Sequence, residues 1–172
     1  MKEVLENILT RRSVRSFSDK PVGTEELETI IKAGMYAPSG MNRQTWQFTA
    51  IRNAGLIEKL AQAIREQIGK GEEYNFYGAK ALVLVSNERD NSNGLADSAC
   101  ALENMFLMAH ALGIGSVWIN QMKTICDVPS VRAVMEELQI PGDHIVWGIA
   151  ALGYADGEPK QVEKKAVVKY FD

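Results

Sequence analysis

Arg11, Arg12, Ser13 and Arg15 set three guanidinium forks and one hydroxyl within five residues. That inventory suits a phosphate ester, because a planar fork presents paired N–H donors to anionic oxygens where a lysine offers only a point charge. In isolation the same run also reads as a solvated basic turn, since it lacks the glycines of a phosphate-cradling loop. What is scarce narrows the chemistry further. The chain has only two cysteines, Cys100 and Cys126, and two histidines, His110 and His144, whereas zinc and iron–sulfur centres gather about four N or S ligands closely. No hydrolase motif is present. Any redox chemistry here calls for an organic cofactor. Cys100, in the apolar stretch Ala99 to Leu102, reads as a small buried core residue.

The elements that position these groups follow from composition and periodicity. A chain of 172 residues, 46% hydrophobic, can build one compact domain spanning 1–172. Its net charge of -3 supplies no global field for nucleic acid or an anionic membrane. Glu3 and Glu6 interrupt the apolar start as no signal-peptide core would tolerate, and no apolar run reaches bilayer-spanning length, so a cytoplasmic protein is expected. Val4, Leu5, Ile8 and Leu9 recur at helical spacing and deliver the basic run. Thr24 is the expected cap of a second helix with Leu27, Ile30 and Ile31 on one face, ended by Pro38-Ser39-Gly40.

Trp46 to Ile51 alternates as a strand, and Ile57 to Ile68 returns to helical spacing. Gly69 to Gly78, carrying Tyr74, Phe76 and Tyr77, is expected to be a mobile aromatic loop able to act as a lid. Ala81 to Val85 reads as a central strand and Leu95 to Leu112 as a central helix apolar on nearly every side. Gly115 to Asn120 and Ile145 to Ala151 read as further strands around a helix near Ser130 to Leu138. The polar tail from about 155 to 172 finishes in Val167-Val168-Lys169-Tyr170-Phe171, an apolar end expected to embrace a partner.

Arg11-Arg12-Ser13-Val14-Arg15 resembles the opening motif of the FMN-dependent nitroreductases, and the likeness continues in order along nearly the whole chain. Ala37-Pro38-Ser39-Gly40-Met41-Asn42-Arg43-Gln44-Thr45-Trp46 is similar to the family's A-P-S-[SG]-x-N-x-Q-P-W segment, with Thr45 where proline is usual. Asp97 to Asn104 and Leu107 to Ile119 resemble its central helix and following strand, and Gly153-Tyr154 with Glu158-Pro159-Lys160 its closing turn.

The resemblance implies an α+β fold of nitroreductase type, with a central, mostly antiparallel sheet flanked by helices in an intertwined homodimer. It also implies FMN as cofactor. Arg11, Arg12 and Ser13 would hold the phosphate and ribityl chain, and Arg15 would stand near the pyrimidine edge. Lys164, or Lys165 in its stead, would be a late phosphate ligand. Pro38, Ser39, Gly40 and Asn42 would reach the flavin from the other subunit, while Trp118, Ile119, Asn120 and Gln121 would lie beside N5. NADH or NADPH would reduce the flavin, and a small-molecule acceptor such as a nitroaromatic or quinone would re-oxidise it at the same place, giving ping-pong kinetics. Trp118 taken alone also fits a core aromatic. An enone reductase or dehalogenase of the same fold, or a flavin-binding protein without turnover, remains open at this point.

Overall fold

A computed structural model describes residues 2–171. Five α-helices and four strands alternate along them: α1 (Lys2–Thr10), α2 (Thr24–Met35), β1 (Trp46–Ile51), α3 (Ala54–Ile68), β2 (Ala81–Glu88), α4 (Gly94–Ala111), β3 (Gly115–Ile119), α5 (Pro129–Glu137) and β4 (His144–Gly153). Each expected element is present, with ends shifted by up to about three residues. The cap of α2 differs from expectation. Gly23, not Thr24, is the N-cap: Thr24 already lies inside the helix, and the Glu26 carboxylate accepts the Gly23 N–H at 2.7 Å. One orphan donor of the first turn is thereby satisfied by a residue three positions into the chain's turn rather than by a hydroxyl. At α3 the ordinary device operates, with Asn53 accepting from the Leu56 N–H at 3.0 Å and Gly69 closing the helix in the left-handed region.

The sheet is antiparallel throughout, in the order β1-β2-β4-β3. Both faces of the central strands are covered, which is why β2 reads as an uninterrupted apolar run. Leu82 and Leu84 point into one core with α3 and α5, while Ala81, Val83 and Val85 point into a second with α2 and α4. Gly148 pairs with Val85 and Val146 with Ser86, so Trp147 is the extra residue of a β-bulge. The bulge brings the Trp147 indole against Gly94, where a Cβ would stand 2.8 Å from Nε1. Leu84 is fully buried in the middle of this sheet. Leu84→Ala is therefore expected to lower stability by about 2–5 kcal/mol, read as a lower urea midpoint at fixed protein concentration. An unchanged midpoint would contradict the packing described.

Three expectations need correction. Cys100 is exposed, because it falls off the α4 stripe of Asp97, Ser98, Ala101, Leu102 and Met105 that faces inward. For the same reason α4 is not covered on every side: Leu95 and Leu112 are open to solvent in the single chain. The segment between α3 and β2 is pinned rather than loose, since Phe76 is 1% exposed and Tyr74 meets it edge-on with ring centroids 5.4 Å apart. Only Tyr77 of its three aromatics is exposed. No helix among the described residues is long and apolar enough to cross a membrane. Beyond Ala155 the chain runs exposed without helix or strand to residue 171.

Candidate active site

The basic run lies along the outer edge of β3. Ser13 bridges Ser116 in parallel, the Val14 N–H donates to the Ser116 carbonyl at 2.9 Å, and Phe17 bridges Ala155 beyond β4. Two glycines paired across β3 and β4, Gly115 and Gly153, make the shallow trough in which this segment rests. A Cβ on Gly115 would stand 2.7 Å from Val14 Cγ2, and one on Gly153 would stand 2.9 Å from Phe17 Cδ1.

Within the run the arginines play different parts. Arg12 Nη1 donates to the Leu9 carbonyl at 2.6 Å and the Arg11 carbonyl at 2.7 Å, closing the end of α1 where carbonyls lack helical partners. Its Nη2 donates to Gln161 Oε1 at 3.2 Å, but its Nε–H is buried with no partner among the described residues. Arg11 Nε stands 3.4 Å from Glu103 on α4, with its guanidinium 6.0 Å from the Phe106 ring centre. Arg15 is exposed and makes no hydrogen bond or ion pair among the described residues.

Arg11, Arg12, Ser13 and Arg15 share a cavity of about 170 Å³ with Lys160 and Lys164 of the tail. Lys165 does not line it and instead lies 3.4 Å from Glu163. Five cationic side chains around one small space, with an orphaned N–H among them, form a donor set that fits a doubly charged phosphate. An adjoining cavity of about 230 Å³ also touches Arg11 and Arg12 and is floored by Thr10, His110 and Ser116. His110 Nε2 is 2.8 Å from Thr10 Oγ1, and that hydroxyl already donates to the Glu6 carbonyl, so Nε2 carries the shared proton. Burial and the neighbouring Arg11 and Arg12 hold the His110 pKa below its usual value, leaving the ring neutral beside the arginines.

Pro38, Ser39, Gly40 and Asn42 stand elsewhere. Met41, Asn42 and Gln44 all take positive φ, at 53°, 55° and 52°, so the segment is a tight, contorted loop. The Asn42 N–H donates to the Ser39 carbonyl at 2.9 Å, and Gln44 Nε2 donates to Asn42 Oδ1 at 2.7 Å. The loop is tied to the first turn of α4 through the Gly40 N–H, which donates to Asp97 Oδ1 at 2.8 Å. Thr45 uses its hydroxyl, which a proline would lack, to donate to Asn87 Oδ1 at 2.6 Å. The arginine run meets α4 at its middle, where Arg11 faces Glu103, and Thr10 just before the run meets His110 in the last turn. With about 1.5 Å of rise per residue, Asp97 lies about 9 Å from Glu103 and about 20 Å from His110 along that helix. Among the described residues no hydrogen bond or ion pair joins the loop to the arginines.

Trp118, Ile119, Asn120 and Gln121 end β3. Trp118 is 36% exposed, its ring 6.4 Å from that of Phe106 on the α4 side, whereas Ile119 is buried toward α3 and α5. The Asn120 N–H donates to Gln121 Oε1 at 3.0 Å. Gln121 and Ile119 border a cavity of about 180 Å³ shared with Tyr74 and Tyr77. Burial pushes the Tyr74 phenol upward, and its hydroxyl has no partner among the described residues. Sequence reasoning passed over Asp97, Asn91 and Lys160 as functional candidates. The asparagine-rich run before α4 was the available signal for the first two.

A model of the nitroreductase family matches residues 8–154. A relative from Archaeoglobus fulgidus, whose name pairs NADH dehydrogenase with NAD(P)H nitroreductase, is 34% identical over 92% of this chain and 88% of its own. Among solved structures, a nitroreductase with bound FMN from Bacteroides fragilis superposes with a TM-score of 0.93 at 41% identity, covering 100% of both chains. Another with bound FMN, from Desulfitobacterium hafniense, gives 0.89 at 25% identity, also covering 100% of both.

Proposed function

The chain belongs to the nitroreductase family, and from that premise we propose that it is an FMN-dependent oxidoreductase carrying hydride from NADH or NADPH to an electron-poor acceptor such as a nitroaromatic or quinone. The observation that carries the proposal is the cationic cavity with the orphaned Arg12 Nε–H, a site built for a phosphate. Similarity to FMN-bound proteins along the full chain supports the choice of phosphate ester. Bound FMN supplies the hydride relay at its N5 atom.

The chain's own residues bind and orient. Arg11, Arg12, Ser13 and Lys164 hold the phosphate and ribityl chain through charge-assisted bonds. Arg15 offers its unengaged guanidinium to the pyrimidine edge, where negative charge gathers on reduction. Trp118 to Gln121 wall the ring. Pro38, Ser39, Gly40 and Asn42 of a second subunit complete the pocket, because in their own chain they are tied to the first turn of α4 and share no hydrogen bond or ion pair with the arginines among the described residues. The tail from about 155 packs on that partner, its final residue 172 lying outside the described residues, and the assembly works in the cytoplasm as a homodimer with one shared site for reductant and acceptor.

Arg11→Ala is expected to weaken FMN by about tenfold to a hundredfold, and riboflavin, which lacks the phosphate, far less. Equilibrium titration by flavin fluorescence checks both ligands. Equal losses would remove Arg11 from the phosphate site. Wild-type protein that leaves gel filtration colourless after incubation with excess FMN would overturn the function itself.

A further inference from the structure

Asp97 occupies the first turn of α4, where an acid is favourable beside the helix's free N–H groups. Its oxygens, however, turn outward from the helix. Oδ1 accepts the Gly40 N–H at 2.8 Å, 57 residues away in sequence, and Oδ2 lies 3.3 Å from Asn91 Nδ2. Asn91 Nδ2 also reaches Thr45 Oγ1 at 3.1 Å and Asn87 Oδ1 at 3.3 Å. Thr45 Oγ1 donates to Asn87 Oδ1, closing the circuit. Both ends of the loop, Gly40 and Thr45, are thus fastened to one buried polar network carried by β2 and α4. Asp97 itself is 4% exposed. Gly40 has no room for a side chain, since a Cβ would stand 2.7 Å from Asn93 Cγ, so its backbone alone can approach the carboxylate.

Three residues in the left-handed region make this loop costly to hold. A loop at such cost needs a fixed external anchor, and Asp97 contributes the network's carboxyl group, with one oxygen toward Gly40 and the other toward Asn91. Its bonds go to the loop and to Asn91, and none goes to the arginine run of its own chain, which meets α4 at Glu103.

We propose that Asp97 is a positioning residue for the flavin site of the partner subunit: it holds the Pro38 to Asn42 loop of its own chain in the shape that completes the pocket built on the other chain's arginines. The inference rests on the FMN reading above and adds both the residue and the direction in which it acts. Asp97→Ala leaves the Gly40 N–H unpaired and lowers FMN affinity by about tenfold or more. Asp97→Asn keeps one acceptor toward Gly40 and falls between Asp97→Ala and wild type.

The decisive measurement uses mixed dimers, with Asp97→Ala in one chain and Arg11→Ala in the other, isolated through two different tags. They are assayed at an FMN concentration that saturates only wild type. Each mixed dimer then holds one site with intact arginines and an intact loop. Binding near one FMN per dimer at wild-type affinity, with about half the wild-type NADH oxidation, is the result expected of action across the interface. Mixed dimers no better than either parent homodimer would overturn it, because a merely structural or same-chain role gives no complementation. Wild-type protein that binds no FMN would instead bring down the underlying reading.

Discussion

Removing Val167 to Asp172 should leave a protein that sediments as a monomer and has lost its FMN. Val167 is 88% exposed and Phe171 92% exposed, with Val168 and Tyr170 also open. Burial of each such side chain is worth about 1.5–3 kcal/mol, so a chain end that leaves four of them in water gains much by lying on another surface. The α1 residues Val4, Leu5, Ile8 and Leu9 are exposed as well and add to the apolar area available for pairing. Loss of flavin follows because Lys164, which lines the arginine cavity, sits in the same tail three residues before Val167. Without the apolar anchor that lysine is no longer held, and dimer and cofactor cease to stabilise one another. Sedimentation velocity together with absorbance of bound flavin reads both quantities. A truncated protein that stays dimeric and fully flavinated would show the tail to be dispensable.

Gly115→Ala should cost more FMN affinity than the loss of any single arginine. The added methyl would meet Val14 Cγ2 at 2.7 Å and the Gly153 carbonyl oxygen at 3.1 Å. The obstacle on one side is backbone of β4, which cannot move without breaking the β3–β4 ladder. Val14 must therefore yield. With it shift the Val14 N–H bond to Ser116 and the Ser13 bridge, which set the height of the whole run over the sheet. Small-to-large changes in packed regions cost about 1–3 kcal/mol of stability, and here displacement of three guanidinium groups at once accompanies it. A hundredfold or greater loss of FMN with a modest fall in melting temperature is expected, checked by titration beside thermal unfolding. Unchanged affinity would mean that the run is not docked through this trough.

The elements were legible because their periodicity is strong: β2 carries seven consecutive buried residues, and α3 has both a side-chain cap and a left-handed glycine stop. The cap of α2 was misread because Thr24 is a better capper by type than Gly23, while the Glu26 carboxylate decided the matter. Cys100 was misread because a run of small apolar residues does not announce which way its helix will roll. Phe76 showed the reverse problem, since a polar, glycine-flanked segment can still drive one ring into the core. The arginine run was readable from its spacing. What α4 does between two distant groups was not, because hydrogen bonds between Gly40 and Asp97, or Arg11 and Glu103, join residues whose nearness only the fold creates.

That α4 anchors the loop at its first turn and meets Arg11 at its middle has a genetic consequence. On the shared-site reading, a chain defective only in its loop spoils sites in proportion to its abundance, since each site draws one loop from one chain. A chain defective in both its loop and its arginines spoils both sites of a dimer, one through its own arginines and the other through the loop it lends to its partner. With such chains making up half the pool, about a quarter of sites would remain whole rather than half. A double lesion would thus be felt against a normal copy more than either single lesion, and a loop lesion and an arginine lesion carried on separate chains in the same cell would likewise leave about a quarter of sites whole.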